Sequence, residues 1–218
     1  YTYNALGSLV KERNGNQEVT YTYNRANDLI AVKEDHAKKE TYTYDNRGNV
    51  LTHTRKDGTK IQYSYDSEDH MLRKNGVSYA YDGMGSLVRM EDESGTTTYT
   101  YNPAGSVTSV EQSGKTVRYV YNAYDELVKI IYPDQVSATY VYDANSNLIE
   151  ASSRGLTVRY AYDALNREVG QTGSDGIVTV TAYDPAGNTT HIQTTVNGFS
   201  YFEASYSYNG NHSLIKEE

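Results

Sequence analysis

The chain has 218 residues, a formal net charge of -8 and no cysteine. The acidic balance argues against nucleic-acid binding, which needs a basic surface, and the absence of cysteine excludes disulfides and thiolate metal sites. Leu, Ile, Val and Phe are scarce enough to suggest disorder, but the 24 tyrosines supply apolar surface that a folded chain can bury. No apolar run is long enough to span a membrane, and no signal-peptide pattern is recognised, which says nothing about secretion of the parent polypeptide.

One four-residue unit recurs from the start of the chain almost to its end. Two tyrosines flank a small or β-branched residue, and Asp or Asn follows; one of the eleven copies has Thr181 in the first tyrosine position. The second tyrosines lie 20 or 21 residues apart, except for 16 between Tyr65 and Tyr81 and 25 between Tyr183 and Tyr208. A fixed period of this length predicts a single continuous array of eleven repeats over residues 1–218.

Each Tyr-x-Tyr unit is typical of a β-strand. Residues two apart lie on one face of a strand, so each unit presents two rings together while the residue between them faces the other side. We expect these rings to pack as a ladder against neighbouring strands. The ladder comprises Tyr21, Tyr23, Tyr42, Tyr44, Tyr63, Tyr65, Tyr79, Tyr81, Tyr99, Tyr101, Tyr119, Tyr121, Tyr140, Tyr142, Tyr160 and Tyr162.

A turn follows each strand. Asp or Asn stands first, where its side chain accepts a hydrogen bond from a backbone N–H two residues on, and the fourth residue needs a positive φ. Gly, Asn, Asp or His fills that fourth position in all copies but one, and Ser146 fits least well. The clearest turns pair Asp45 with Gly48, Asp82 with Gly85, Asn102 with Gly105, and Asp184 with Gly187.

A second strand and a second turn complete each repeat. The strand starts with an apolar pair such as Leu29-Ile30, and the turn carries a hairpin dipeptide such as Asn75-Gly76 or Asn197-Gly198. Two strands per repeat predict about 22 strands and no helix. The 16-residue interval predicts a hairpin shortened by two residues on each side, which keeps every side chain on its face.

The run Tyr-x-Tyr-Asp-x-x-Gly-x-Leu/Val, seen around Asp45 to Leu51 and Asp82 to Val88, resembles the YD repeat, also called the Rhs repeat. The resemblance covers the whole chain. It implies an all-β fold in which tandem hairpins of ~20 residues form a curved, spiralling sheet, part of a hollow shell. Such shells occur in bacterial polymorphic toxins, insecticidal toxin complexes and teneurins. The Arg-, Pro-, Asp- and Gly-rich core through which bacterial shells cleave themselves has no counterpart here.

The resemblance implies a structural, encapsulating scaffold in a larger secreted or cell-surface bacterial protein, which houses or presents a C-terminal toxin or effector. The expected partners are neighbouring repeats and an enclosed C-terminal segment of the same polypeptide, since the chain begins within a repeat. Edge strands could also pair with a second copy. No enzyme activity is expected, because no nucleophile, base or metal set is visible.

Two binding hypotheses compete with structural interpretations. The repeated Asp and Asn residues could bind calcium, but one carboxylate per repeat, spaced by about 10 Å, does not converge on an ion. The tyrosine-rich face could bind carbohydrate or a cell-surface partner, although rings that build the core leave few for a ligand. The five histidines share no ligand spacing: His36, His53, His70, His191 and His212. We therefore predict no cofactor and no metal.

Two other folds are compatible with a short repeat. A propeller would group strands in fours, about 40 residues per blade, but successive copies look equally alike and show no such super-period. A parallel solenoid is the stronger rival. The Asn-Gly and Asp-Gly pairs argue against it, because they favour antiparallel hairpins.

Overall fold

A computed structural model describes residues 1–34 and 39–218 of the chain. Those residues form 22 β-strands and no helix, which confirms the predicted all-β class. His36 lies outside the described residues. The chain divides into two compact units, Tyr1–Tyr99 and Thr100–Glu218, and the boundary falls within the eleventh strand.

The first unit contains the first ten strands and most of the eleventh. Their bounds are β1 (Thr2–Tyr3), β2 (Leu9–Asn14), β3 (Gln17–Tyr23), β4 (Leu29–Glu34), β5 (Glu40–Tyr44), β6 (Val50–Thr54), β7 (Lys60–Tyr65), β8 (Met71–Lys74), β9 (Val77–Tyr81), β10 (Leu87–Asp92) and β11 (Gly95–Tyr101). The pair β8 and β9 is short on both sides, as the 16-residue interval predicts.

The second unit contains the remaining strands. Their bounds are β12 (Val107–Gln112), β13 (Lys115–Tyr121), β14 (Leu127–Ile131), β15 (Ser137–Tyr142), β16 (Leu148–Ser153), β17 (Leu156–Tyr162), β18 (Glu168–Gly173), β19 (Ile177–Tyr183), β20 (Thr189–Val196), β21 (Phe199–Tyr208) and β22 (Leu214–Glu217). The longest hairpin, β20 with β21, fills the 25-residue interval.

Within each unit, every strand pairs antiparallel with the next strand along the chain. In β15 and β16, for example, Tyr140 lies opposite Ala151 and Val141 opposite Glu150. Antiparallel pairing of consecutive strands through short turns excludes the parallel solenoid. The hairpin array is therefore the architecture of both units.

The turn after each Tyr-x-Tyr unit has one geometry throughout. In the turn of Asp82, the N–H of Gly85 donates to the carbonyl of Asp82 at 3.1 Å, and the N–H of Asp82 donates to the carbonyl of Ser86 at 2.9 Å. This is a type I turn closed by a bulge at a residue of positive φ. All eleven fourth residues have positive φ, from 59° to 93°: Gly7, Asn27, Gly48, Asp69, Gly85, Gly105, Asp125, Ser146, Asn166, Gly187 and His212.

The strand that follows a Tyr-x-Tyr turn contains a further irregularity near its start. Tyr23 lies opposite Leu29 and Thr22 opposite Ala31, so Ile30 is an extra residue without a cross-strand partner. The same register shift recurs after other Tyr-x-Tyr turns, for example between Val141 and Tyr142. The alternation expected of a regular strand therefore starts only after a β-bulge, which the sequence did not predict.

The turns at the other end of the hairpins are less uniform. Ser113-Gly114 and Asn197-Gly198 have positive φ at both residues, as a type I′ turn requires. Arg154-Gly155 does too, although its sequence carries no Asn or Asp signal. Gly58 instead closes a longer turn, with its N–H donating to the carbonyl of Arg55 at 2.9 Å. The dipeptide therefore predicts that a hairpin forms but not which turn it uses.

Neither unit has a core of large buried side chains. Among the described residues, the buried hydrophobic side chains are Ala31, Ile61, Ala138 and Ala204, and Thr97 is buried with them. The predicted ladder tyrosines are all half-buried. Packing is thus distributed over many partly covered rings. Within the described part of the chain, no helix has the length and apolar character needed to cross a membrane.

Candidate functional site

The second tyrosine of the repeat ties neighbouring hairpins together through its hydroxyl. Tyr142 donates a hydrogen bond to the backbone carbonyl of Leu127 at 3.0 Å, and Tyr162 donates to that of Leu148 at 2.9 Å. Each acceptor is the first residue of the preceding repeat's bulged strand. Bonds of this kind also run from Tyr23 to Leu9, Tyr44 to Leu29, Tyr81 to Met71, Tyr121 to Val107 and Tyr183 to Glu168.

The hydroxyls of Tyr44 and Tyr142 remain protonated donors at neutral pH. Burial raises the pKa of Tyr44 and Tyr142 above the ordinary tyrosine value, and the neighbouring carboxylates of Asp28 and Glu126 act in the same direction. The sequence analysis predicted ring packing but not the hydroxyl bonds. The sequence does contain a signal for these bonds, because an apolar residue lies 14 or 15 positions before most of these tyrosines.

The first residue of most of these turns caps two backbone donors. Asp45 Oδ1 accepts hydrogen bonds from the N–H groups of Arg47 and Asn49, both at 2.9 Å. Asn102 Oδ1 accepts the equivalent pair from Ala104 and Ser106 at 3.0 and 2.9 Å. Asp82 and Asp184 cap in the same way. The bond to the residue four positions on adds to the one that the sequence predicted.

These caps favour the charged form of the carboxyl group. The side-chain amide of Asn188 and the backbone N–H groups of the turn lower the pKa of Asp184. The pKa of Asp163 is lowered chiefly by hydrogen bonding to Arg167. Asp163 and Asp184 are therefore ionised at neutral pH.

Neighbouring turns are also joined by side chains. Asn49 Nδ2 donates to Asp69 Oδ1 at 2.6 Å, although the two residues lie 20 positions apart. Asn102 Nδ2 likewise donates to Asp125 Oδ1 at 2.7 Å. The equivalent bonds run from Ser8 to Asn27, from Asn147 to Asn166 and from Asn188 to His212. In each case the acceptor is the fourth residue of its turn.

These bonds group the turns in twos. In each pair, a donor turn with Gly or Ser in fourth position precedes an acceptor turn with Asn, Asp or His in that position. The pairs are the first and second, third and fourth, sixth and seventh, eighth and ninth, and tenth and eleventh turns. Positive φ alone does not account for the residues in the fourth turn position. They also follow a two-repeat alternation that was not predicted from the sequence.

The fifth residue of an acceptor turn can cover the tyrosine ring of the next repeat. The His70 ring stacks on Tyr81 with centroids 4.8 Å apart. The Arg167 guanidinium lies 4.7 Å from the ring centroid of Tyr183. Arg167 also pairs with Asp163 at 2.6 Å and donates to the carbonyl of Asp184 at 3.0 Å. A planar cation thus fits between these neighbouring turns.

Asp66, Glu68 and His70 place three potential metal-ligating atoms within 4.8 Å of one another. Asp66 Oδ1 accepts the backbone N–H groups of Glu68 and His70, and its Oδ2 lies 3.1 Å from His70 Nδ1. Each contact of Asp66 has a counterpart in other capped turns, such as the bond from Asn49 Nδ2 to Asp45 Oδ2. We interpret the group as a turn cap; a search for spacing among histidines alone missed it.

The ladder tyrosines do not form an open aromatic platform. All are half-buried, and the hydroxyls named above are engaged by backbone carbonyls. The strongly exposed aromatic residues away from the first strand are Tyr124, Phe199 and Tyr201. None of these three belongs to a Tyr-x-Tyr unit.

Two protein-family models together match most of the chain. A family model described as Teneurin YD-shell matches residues 2–135, and one described as RHS Repeat matches residues 142–178. The comparison with curated proteins finds no match. The repeat identified from the tyrosine motif is therefore confirmed by two independent family descriptions.

Solved structures share the fold. The crystal structure of TcdB2-TccC3-TEV matches with a TM-score of 0.51 and 13% identity over 99% of this chain. The Photorhabdus luminescens Tc holotoxin pore, solved with a mutated TccC3, matches with a TM-score of 0.51 and 15% identity over 91% of this chain. The matches span 16% and 13% of those chains. At such identity the likeness concerns the fold alone.

Proposed function

Because the chain belongs to the teneurin YD-shell family, we propose that it forms a stretch of the wall of a hollow protein shell. In this role it is a structural scaffold within a larger secreted or cell-surface bacterial protein, and it performs no catalysis itself. Its partners are the neighbouring repeats and the contents of the shell. The toxin complexes among the structures of similar fold support an extracellular setting.

The observation that carries this proposal is the tie between consecutive hairpins. Each hydroxyl bond, such as that from Tyr162 to Leu148, joins one repeat to the previous one by a side chain in addition to the strand ladder. The turn bonds, such as Asn102 to Asp125, add a second tie at the hairpin end. A sheet without a large buried core needs such ties to resist opening.

We extend the proposal to a C-terminal segment of the parent polypeptide, which the shell houses or presents. One structure of similar fold is described as TcdB2-TccC3 without its hypervariable C-terminal region. That protein therefore has a separable, variable C-terminal part. A wall of repeats is suited to enclosing such a segment because its hairpin pattern does not depend on the sequence of the contents.

Limited proteolysis of the whole open reading frame that contains this chain tests the proposal. The C-terminal segment should be cleaved much more slowly in the full-length protein than when it is produced alone. Denaturing the shell in guanidinium before proteolysis is the control, and it should remove the difference. Equal cleavage rates for the isolated and full-length forms would refute encapsulation.

Carbohydrate binding by the tyrosine-rich face remains the alternative function. A sugar site needs exposed rings in a groove. The half-buried ladder tyrosines with engaged hydroxyls do not favour this alternative. A glycan array distinguishes the two, since the scaffold role predicts no saturable glycan binding.

A further inference from the structure

A groove lies between two neighbouring turns of the second unit, and we call it the Tyr124 groove. Its volume is about 350 Å³, and it is lined by Asn122, Tyr124, Glu126, Tyr142, Asp143 and Ser146. The Tyr124 side chain is 85% exposed. The ring of Tyr142 is half-buried, and its hydroxyl is held by the carbonyl of Leu127. The groove therefore has one fixed ring and one accessible ring.

The groove carries two negative charges. Hydrogen bonds from Ser146 and Asn122 lower the pKa of Glu126, and hydrogen bonds from Asn147 and from the turn backbone lower that of Asp143. Both carboxylates are therefore ionised at neutral pH. Among the described residues that line the groove there is no Lys or Arg. The residues that line the groove therefore supply no cation to neutralise the two carboxylates.

The same chain shows what fills the equivalent place two repeats later. Glu126 is the fifth residue of its turn, and Arg167 is the fifth residue of the corresponding later turn. The Arg167 guanidinium lies 4.7 Å from the ring centroid of Tyr183 and pairs with Asp163. Tyr183 corresponds to Tyr142 in the repeat. Arg167 thus fills the space between its turn and the next one, whereas Glu126 leaves the Tyr124 groove acidic and open.

From this internal comparison we infer that the Tyr124 groove binds a guanidinium group supplied from outside the chain, such as an arginine side chain of a peptide. The guanidinium lies against the Tyr142 and Tyr124 rings, as that of Arg167 lies against Tyr183. It pairs with Glu126, whereas Arg167 pairs with Asp163, whose place in this earlier turn is held by Asn122. The binding is reversible and involves no covalent step. The inference goes beyond the proposed shell role and does not depend on it.

Guanidinium suits this groove better than a sugar or a lysine ammonium. A sugar is neutral and would leave both carboxylates uncompensated. A guanidinium is planar, stacks on aromatic rings and is more weakly hydrated than an ammonium, so it loses less hydration when it enters. The groove should therefore prefer arginine to lysine.

Titration of the ¹⁵N-labelled chain with N-acetyl-arginine amide, followed by NMR, tests the inference. Amide signals of the two turns around Tyr124 and Asp143 should shift and saturate. N-acetyl-citrulline amide, the neutral isostere, should bind about tenfold more weakly, the factor expected for one cation–π contact of middling strength. The affinities of agmatine and of an arginine-containing peptide are then compared. Tighter binding of agmatine indicates a free small cation as the source of the guanidinium group, and tighter binding of the peptide indicates a polypeptide.

Five variants make the test specific. Tyr124→Ala should weaken binding about tenfold, whereas Tyr201→Ala, at another exposed ring, should leave it unchanged. Glu126→Arg should abolish binding because the new side chain fills the groove as Arg167 fills its own. Arg167→Glu should create a second site at Tyr183. Glu126→Gln, which keeps the shape of the side chain, should also weaken binding if the charge is what attracts the ligand.

Several outcomes would overturn the inference. They are equal affinity for the arginine and citrulline amides, unchanged binding in Tyr124→Ala, and an absence of saturable shifts in the folded wild-type chain. Shifts that saturate but map to other turns would also overturn it.

Discussion

Single residues in the Tyr-x-Tyr turns are constrained by backbone conformation rather than by space. Gly48 has a φ of +93°, and a Cβ added to it would meet nothing within 4 Å. Gly48→Val should therefore destabilise the fold through positive φ alone, by about 1–3 kcal/mol. Gly85→Val should destabilise the fold more than Gly48→Val, because a Cβ at Gly85 would also lie 2.9 Å from His70 Nε2.

Asn46→Pro provides the matched control in the Gly48 turn. Pro103 and Pro185 occupy the same position in other copies, so proline should be tolerated there. Chemical denaturation of the variants gives the ranking. A Gly48→Val variant as stable as wild type, or an Asn46→Pro variant less stable than Gly48→Val, would contradict the type I assignment.

The turn carboxylates make stability depend on pH. The pKa of Asp184 is lowered in the folded state, so the unfolded state binds more protons near the ordinary aspartate pKa of about 3.9. The stabilisation is thus present above that value and is lost as the pH falls through the folded-state pKa. Asp184→Asn should keep the cap, as Asn102 does, but lose part of this dependence. Melting temperatures measured between pH 7 and pH 2 check this. An equally steep fall in the variant and the wild type would contradict it.

At the scale of the element, the hydroxyl tie between hairpins can be removed without disturbing the ring. Tyr162→Phe deletes the hydrogen bond to the carbonyl of Leu148 and should lower the free energy of unfolding by about 1 kcal/mol. Tyr160→Phe in the same strand is the control, because the structure gives its hydroxyl no hydrogen bond; its effect should be smaller. Urea denaturation compares the two, and equal losses would mean that the hydroxyl bond contributes nothing.

The elements differ in how far their sequence determines them. The Tyr-x-Tyr spacing and the Asp-x-x-Gly turn predict the strands and the hairpins, because alternation and positive φ are local properties of the chain. The bulge at Leu29-Ile30 was not predictable from local pattern, since adjacent apolar residues also suit a strand covered on both faces. The bond from Asn102 to Asp125 depends on two turns in neighbouring repeats being brought together. Such contacts follow from the pairing register, not from the composition of either turn.

At the scale of the whole molecule, a terminal strand offers an edge to another chain. β22 carries Leu214 and Ile215, which are 51% and 63% exposed, and pairs with β21. An apolar edge strand is a template for further pairing, so we expect the isolated 218-residue chain to associate in a concentration-dependent manner. Sedimentation velocity over a wide concentration range measures this. Ile215→Lys should reduce the association, and a wild-type monomer at all concentrations would contradict the expectation.

The central claim is that these repeats form part of the wall of a shell. Electron cryomicroscopy of the complete open reading frame that contains this chain tests it most directly. The account predicts that the eleven repeats form part of a continuous β-wall around an internal space occupied by density for the C-terminal segment. A C-terminal segment that lies outside, with these repeats packed as a solid separate domain, would contradict it.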